Sequence, residues 1–238
     1  MKRDEYVRLR NMLWFGVIVS LITVFGGEIP IGWVVNPKAD NEIFSMILGY
    51  ASLSLPQMAS GVFFGGIGIP LQYYGYKAIA EIISKTDCRK CAKLTEIGAK
   101  AIAFGGGIVH VICIALMYIC KMECTSVMTE LPKTVIDFTL WIVLPFSAVF
   151  MTIYSVMTIA MAIPIVKGKT IFPKWAVVFN PLAAKVLIPI VAVILPNTKI
   201  VNGLNMADMG IGSLITFVGL LILLDKCQQK EACKEGIL

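Results

Sequence analysis

Long apolar stretches alternate with short polar segments along the chain, at about 11–29, 56–80, 99–120, 135–163, 175–196 and 207–225. Each approaches the ~20 residues that cross a ~30 Å hydrocarbon core at 1.5 Å per helical residue. The pattern predicts an all-α, polytopic transmembrane bundle of six spans forming one domain over 1–238. The polar tail after Asp225 is too short to fold alone.

The region from Ile43 to Ser84 resists this simple division. A single straight helix over it measures about 60 Å, twice the membrane thickness. Pro56 offers a break, which leaves a short outer segment over 42–54, re-entrant or interfacial, before one long span kinked at Pro70. Tyr73, Tyr74, Tyr76 and Lys77 then form an aromatic and basic anchor at the inner interface.

Composition agrees with this class. Hydrophobic residues make up 58% of the chain and charged residues 15%, against about 25% charge in soluble domains. The charges also orient the bundle. Lys2, Arg3, Arg8 and Arg10 precede the first span, and Lys85, Arg89, Lys90 and Lys93 follow the second. Lys167, Lys169 and Lys174 follow the fourth, and Lys226, Lys230 and Lys234 the last. These fourteen oppose only Lys38, Lys121, Lys133 and Lys199 in the alternate segments. The positive-inside rule puts both termini in the cytoplasm of a cell (inner) membrane, which requires an even number of spans. The net charge of +6 reads as orientation and attraction to anionic lipid, not as nucleic-acid binding. The basic stretch before Met12–Gly27 has the look of a secretory signal. Cleavage there would strand the charge pattern, so the first helix is expected to be retained.

Lys185 is the most informative residue. It lies in mid-stretch, where an ammonium costs roughly 2.5–3.5 kcal/mol on insertion scales and should face a partner or water. Pro181 and Pro189 flank it four residues away, and each denies a helical partner to a carbonyl, that of Val177 and of Lys185 itself. His110, the only histidine, lies at similar depth on the third span. Glu28, Gln57, Asp137 and Asp208 lie nearer the outer boundary, one on each remaining span. Together they describe an outward-opening polar cavity, with Asp208 and Asp137 the preferred partners of Lys185 and unwound backbone near Asn180 beside it. The plainer alternatives are interface carboxylates, a histidine bonded to a neighbouring carbonyl, and a lysine that snorkels to the headgroups.

Glycines cluster inside the spans as Gly61-x-x-x-Gly65-Gly66-x-Gly68 and Gly105-Gly106-Gly107. They permit close helix approach within the chain or, alternatively, in a homodimer. No internal repeat stands out beyond the pairs Asn36-Pro37 and Asn180-Pro181. Among seven cysteines, Cys88, Cys91, Cys227 and Cys233 share the cytoplasmic side. They have the number but not the spacing of a zinc site, and reduced or acylated thiols fit better. Cys120 and Cys124 lie on adjacent turns toward the outside and are candidates for pairing in an oxidising compartment. Zincin, nucleophile-elbow and phosphate-loop motifs are absent, and one histidine excludes histidine-rich metal chemistry. No cofactor is expected.

The run Val24-Phe25-Gly26-Gly27-Glu28-Ile29-Pro30-Ile31-Gly32-Trp33 resembles the end of the first helix in a bacterial integral membrane family of unknown function. Gly68-Ile69-Pro70-Leu71 with Gly75, Gly105-Gly106-Gly107 before His110, and Phe172-Pro173-Lys174-Trp175 with Asn180-Pro181 extend the resemblance. Glu28 stands where that family more often has Asp. The resemblance implies six helices and a polar pocket, and no substrate.

The resulting expectation is a membrane protein that binds or translocates a small polar or amphipathic ligand, with Lys185 holding an anionic group. An intramembrane lipid-modifying enzyme using His110 or Glu28 as acid/base and a structural or regulatory subunit are the alternatives.

Overall fold

The computed structural model describes residues 3–37, 42–124 and 130–234, and among these every regular element is helical. Helix α1 runs Arg3–Gly32, α2 Glu42–Ala51, α3 Leu55–Ser84, α4 Arg89–Glu123 and α5 Lys133–Val166. A 3₁₀ turn, Lys174–Phe179, leads into α6, Pro181–Ile194, followed by α7, Lys199–Met206, and α8, Asp208–Lys234. Helices α1, α4, α5 and α8 are long and apolar enough to cross a membrane, and the α2–α3 pair makes a fifth if counted as one broken span. Large apolar side chains, among them Phe104 on α4, Trp141 on α5 and Ile194 on α6, stand in the open, the kind of surface that suits contact with lipid.

The break before α3 has a visible chemical cause. The Ser54 hydroxyl accepts from the Gln57 backbone N–H while the Gln57 side chain accepts from the Ser54 N–H, closing a capping box with Pro56 in the first turn. Helix α2 meets α3 at 104° across this cap.

The stretch 175–196, expected as one helix, is interrupted. The residue before a proline is driven out of the α region, and Asn180 is extended at φ −63°, ψ 133°. Its side chain accepts from the Leu182 N–H and caps α6. Pro181 therefore starts a helix instead of kinking one, and the Val177 carbonyl is not free: it accepts the Asn180 N–H at 2.9 Å. With 14 residues, α6 is only about 21 Å long.

Four helices carry a wide π turn, at Thr23–Glu28, Gly61–Gly65, Ile102–Gly106 and Thr139–Val143. Those of α1 and α3 lie against each other, and a Cβ on Gly27 would sit 2.6 Å from the Gly65 nitrogen. The glycines at 61, 65 and 68 make room for Ile31, His110 and Thr23 of this same chain. Close intramolecular packing is what these glycines serve here. Pro30 removes the helical donor from the Gly26 carbonyl, and the Ser60 hydroxyl of α3 donates to that oxygen instead.

Two apolar clusters result, called inner for the end of the bundle that carries Arg3 and Asp225 and outer for the opposite end. The inner one gathers Leu9, Leu13, Tyr76, Met157 and Leu224 around Phe217, whose ring fits against Gly16 and Gly75. The outer one joins Ile31, Leu53, Met58, Ile114 and Val135. At the inner end Tyr6 and Arg10 of α1 both bond Asp225 of α8, at 2.9 and 3.2 Å, and Lys85 pairs with Glu5. Lys169 pairs with Asp87 at 2.5 Å and holds that carboxyl below its usual range.

Gly27→Ala should push α1 from α3 and destabilise the protein by about 1–3 kcal/mol. Gly105→Ala, with only one atom within 4 Å of the new Cβ, at 3.9 Å, should be neutral or stabilising by up to about 1 kcal/mol. Thermal unfolding of both variants in one detergent checks the contrast.

Candidate ligand-binding cavity

Where the two apolar clusters meet, the helices leave a cavity of about 490 Å³. Ile31, Tyr50 and Met117 reach it from the outer cluster, Ile102 and Tyr154 from the inner one. Its polar residues include Glu28, Gln72, His110, Lys185, Asn205 and Asp208.

Lys185 Nζ lies 2.8 Å from Asp208 Oδ2, and the side chains are 30% and 7% exposed. Asp208 opens α8, where unpaired backbone amides favour a carboxylate. The ammonium thus faces a partner inside the protein and does not extend to headgroups. Glu28 closes the π turn of α1 and is buried. Gly210 admits it, since a Cβ there would collide with Glu28 Oε2. His110 directs Nε2 to the Gly61 carbonyl at 3.2 Å. A carbonyl only accepts, so this nitrogen carries a proton.

The other sequence-derived site residues lie elsewhere. Asp137 pairs with Lys133 one turn away on α5, an exposed i,i+4 contact, and is not in the cavity wall. Beyond its capping role, Gln57 donates to the Pro30 carbonyl at 2.9 Å. Asn180 donates to the Thr158 carbonyl at 2.7 Å. Both are engaged in holding backbone together, and neither lines the cavity.

Apart from Glu28, sequence reasoning missed the cavity residues with unmet bonding capacity. Among the described residues, six buried side-chain atoms lack a hydrogen-bond partner. Four of them, Glu28 Oε2, Gln72 Nε2, Tyr154 Oη and Asn205 Oδ1, belong to cavity-lining residues. The Tyr76 hydroxyl neighbours that of Tyr154 and the Gly210 N–H neighbours the Glu28 carboxyl, at longer or less aligned geometry than a hydrogen bond to these atoms requires. Buried polar atoms are nearly always bonded, so such a concentration calls for an explanation such as a ligand or water. Gln72, an amide between Leu71 and Tyr73, was visible to the same reasoning that picked out Lys185. Tyr154 carried no signal, because tyrosine is ordinary in membrane helices.

Cys113 also lines the cavity, beside Ser147. Cys120 and Cys124 are unbonded thiols, both buried, and the Cys124 N–H donates to the Cys120 carbonyl. No group of three or more metal-ligating side chains occurs among the described residues. Cys88 and Cys91 are partly buried, and Cys227 Sγ lies 3.3 Å from the Ile171 carbonyl. The Cys233 side chain lies outside the described residues.

With this geometry established, the chain belongs to the family of unknown function DUF6796, which matches residues 1–227. Comparison with curated proteins and with solved structures gives no match.

Lys185→Met should leave the Asp208 carboxylate without its partner and destabilise the protein by about 2–3 kcal/mol, less than a fully buried pair because the lysine is partly exposed. Adding Asp208→Asn should recover part of that loss. A double-mutant cycle of melting temperatures checks it; additive effects of the two substitutions would mean that the pair contributes nothing.

Proposed function

We propose that this protein is a multi-pass protein of the inner (cytoplasmic) membrane that binds or translocates a small amphipathic ligand through an outward-facing cavity. One observation carries this reading: among the described residues, four of the six unpartnered buried polar atoms belong to residues around one cavity. Two are acceptors, on Glu28 and Asn205; the Gln72 amide donates, and the Tyr154 hydroxyl does either. A ligand end bearing both donors and acceptors satisfies this set, while the apolar side chains of the wall suit hydrocarbon. Because Asp208 already neutralises Lys185, recognition of an anion by the lysine alone is disfavoured, and a hydroxyl, amide or amine group fits better.

The cavity is called outward-facing on the strength of the charge pattern. Both termini share the basic side, so the crossings are even in number. Helices α1, α3, α4, α5 and α8 supply five. The sixth is α6 together with its 3₁₀ turn, whose six residues add roughly 12 Å to the helix. Lysines placed on the outer side would flank α4, α5 and α7. Cysteines introduced at Lys85 and Lys199 should react with an impermeant reagent from the cytoplasmic and outer faces respectively; reaction of both from one face overturns the topology.

Cys113 tests the cavity without an introduced label. In sealed vesicles of known orientation, a small water-soluble thiol reagent applied from outside should modify Cys113, followed by peptide mass spectrometry. Glu28→Leu, which removes a polar carboxyl from the wall, should slow that reaction several-fold. A Cys113 that never reacts would leave a dry, closed centre, as in a structural subunit.

A further inference from the structure

A second depression lies on the lipid-facing surface between α4 and α5, about 420 Å³ in volume. Its ten lining residues are all apolar. They include Ala101, Phe104, Gly105 and Ile108 on α4 and Phe146 and Val149 on α5. Positions 101, 104, 105 and 108 recur at helical spacing on one face, so the groove follows α4 for about 10 Å. Phe104 is 79% exposed and Val149 63%, and Gly105 leaves the floor open. Two residues, Val109 and Phe150, line both this groove and the polar cavity. The partition between lipid and the unpartnered polar atoms is therefore built around two side chains, one of them a phenylalanine stacked on Tyr154 at 6.3 Å.

The geometry points to a lateral portal, in which the hydrocarbon chain of a membrane amphiphile lies in the α4–α5 groove while its polar end occupies the cavity, with Phe150 as the gate. This rests on the ligand-binding reading above and adds the ligand's class and its route. The shared wall of the two spaces and their opposite chemistry argue for one occupant having two unlike ends. A wholly polar ligand leaves the groove unused, and a wholly apolar one leaves Glu28, Gln72, Tyr154 and Asn205 unsatisfied. Entry from the bilayer spares the hydrocarbon chain a passage through water.

The test follows Cys113, inside the cavity, with two reagents on the full-length chain in vesicles. One is an alkyl maleimide dissolved in the bilayer; the other is a small water-soluble methanethiosulfonate. Gly105→Leu places a side chain in the groove at an open position and should slow the lipid-phase reaction several-fold while leaving the aqueous one unchanged. Phe150→Ala removes the gate and should accelerate the lipid-phase reaction several-fold. Should Phe150→Ala prove unstable, Gly105→Leu decides the matter alone. If the alkyl maleimide responds to neither substitution while the aqueous reagent reacts normally, the portal is wrong and the outward cavity stands. If only the alkyl maleimide reaches Cys113, and Gly105→Leu blocks it, the portal stands and the outward opening is wrong.

Discussion

Several helices are long and apolar enough to cross a membrane, and hydrocarbon offers a polar group no hydrogen bond, a constraint that the contacts between these helices meet. At several carbonyls along the helices, some beside a proline, a widened turn or a helix end, a side chain from another segment donates a hydrogen bond. Ser60 bonds Gly26, Gln57 bonds Pro30 and Asn180 bonds Thr158. His110 reaches Gly61 and Thr216 reaches Phe179. These contacts tie α1 to α3, α3 to α4, α5 to the start of α6, and the 3₁₀ turn to α8. They do the holding that water-driven burial does in a soluble protein, with glycine contacts bringing the backbones within reach. Against such thorough satisfaction, the unpaired atoms around the cavity stand apart.

The positions of most helices were legible because length and hydropathy are sufficient to reveal a membrane helix. The segment 175–196 was not, since the effect of Asn180-Pro181 depends on whether the asparagine side chain caps the next helix or points away. For the site, the ion pair of Lys185 with Asp208 was legible: a charge at that depth needs a partner, and the choices were few. Gln57 and Asn180 look alike in sequence to ligand-binding residues, but their amides are consumed by nearby carbonyls. Asp137 had Lys133 one turn away, an i,i+4 partner plain in the sequence and outweighed there by the search for a partner to Lys185. The π turns were invisible, because a widened turn leaves the same apolar composition as a regular one.

The placement of polar chemistry between two apolar clusters has an energetic logic. The inner cluster, centred on Phe217 and closed by Asp225 with Tyr6 and Arg10, gives the bundle a firm base. The outer cluster includes the short helix α2, set at a steep angle to α3. Groups left unsatisfied at the junction lower stability there, and a bound partner that bonds them returns that free energy as affinity. The Lys185–Asp208 pair sets the charge balance of that junction, with Glu28 as its additional acid.

A π turn is in effect an α-helix that has accepted one extra residue without breaking. One residue corresponds to about 100° of rotation, so each of the four turns resets the angular phase of whatever follows it. A helical wheel drawn through α1, α3, α4 or α5 as a single helix therefore puts the two ends out of step. Removing one residue from such a turn would return it to regular α geometry and leave both ends facing as before, whereas removing one from a regular stretch of the same helix would swing the rest by more than a quarter revolution. In α4 the residues beyond the turn include His110 and Cys113, and in α5 they include Phe150 and Tyr154. For this fold, counting residues within a span matters more than their chemical kind.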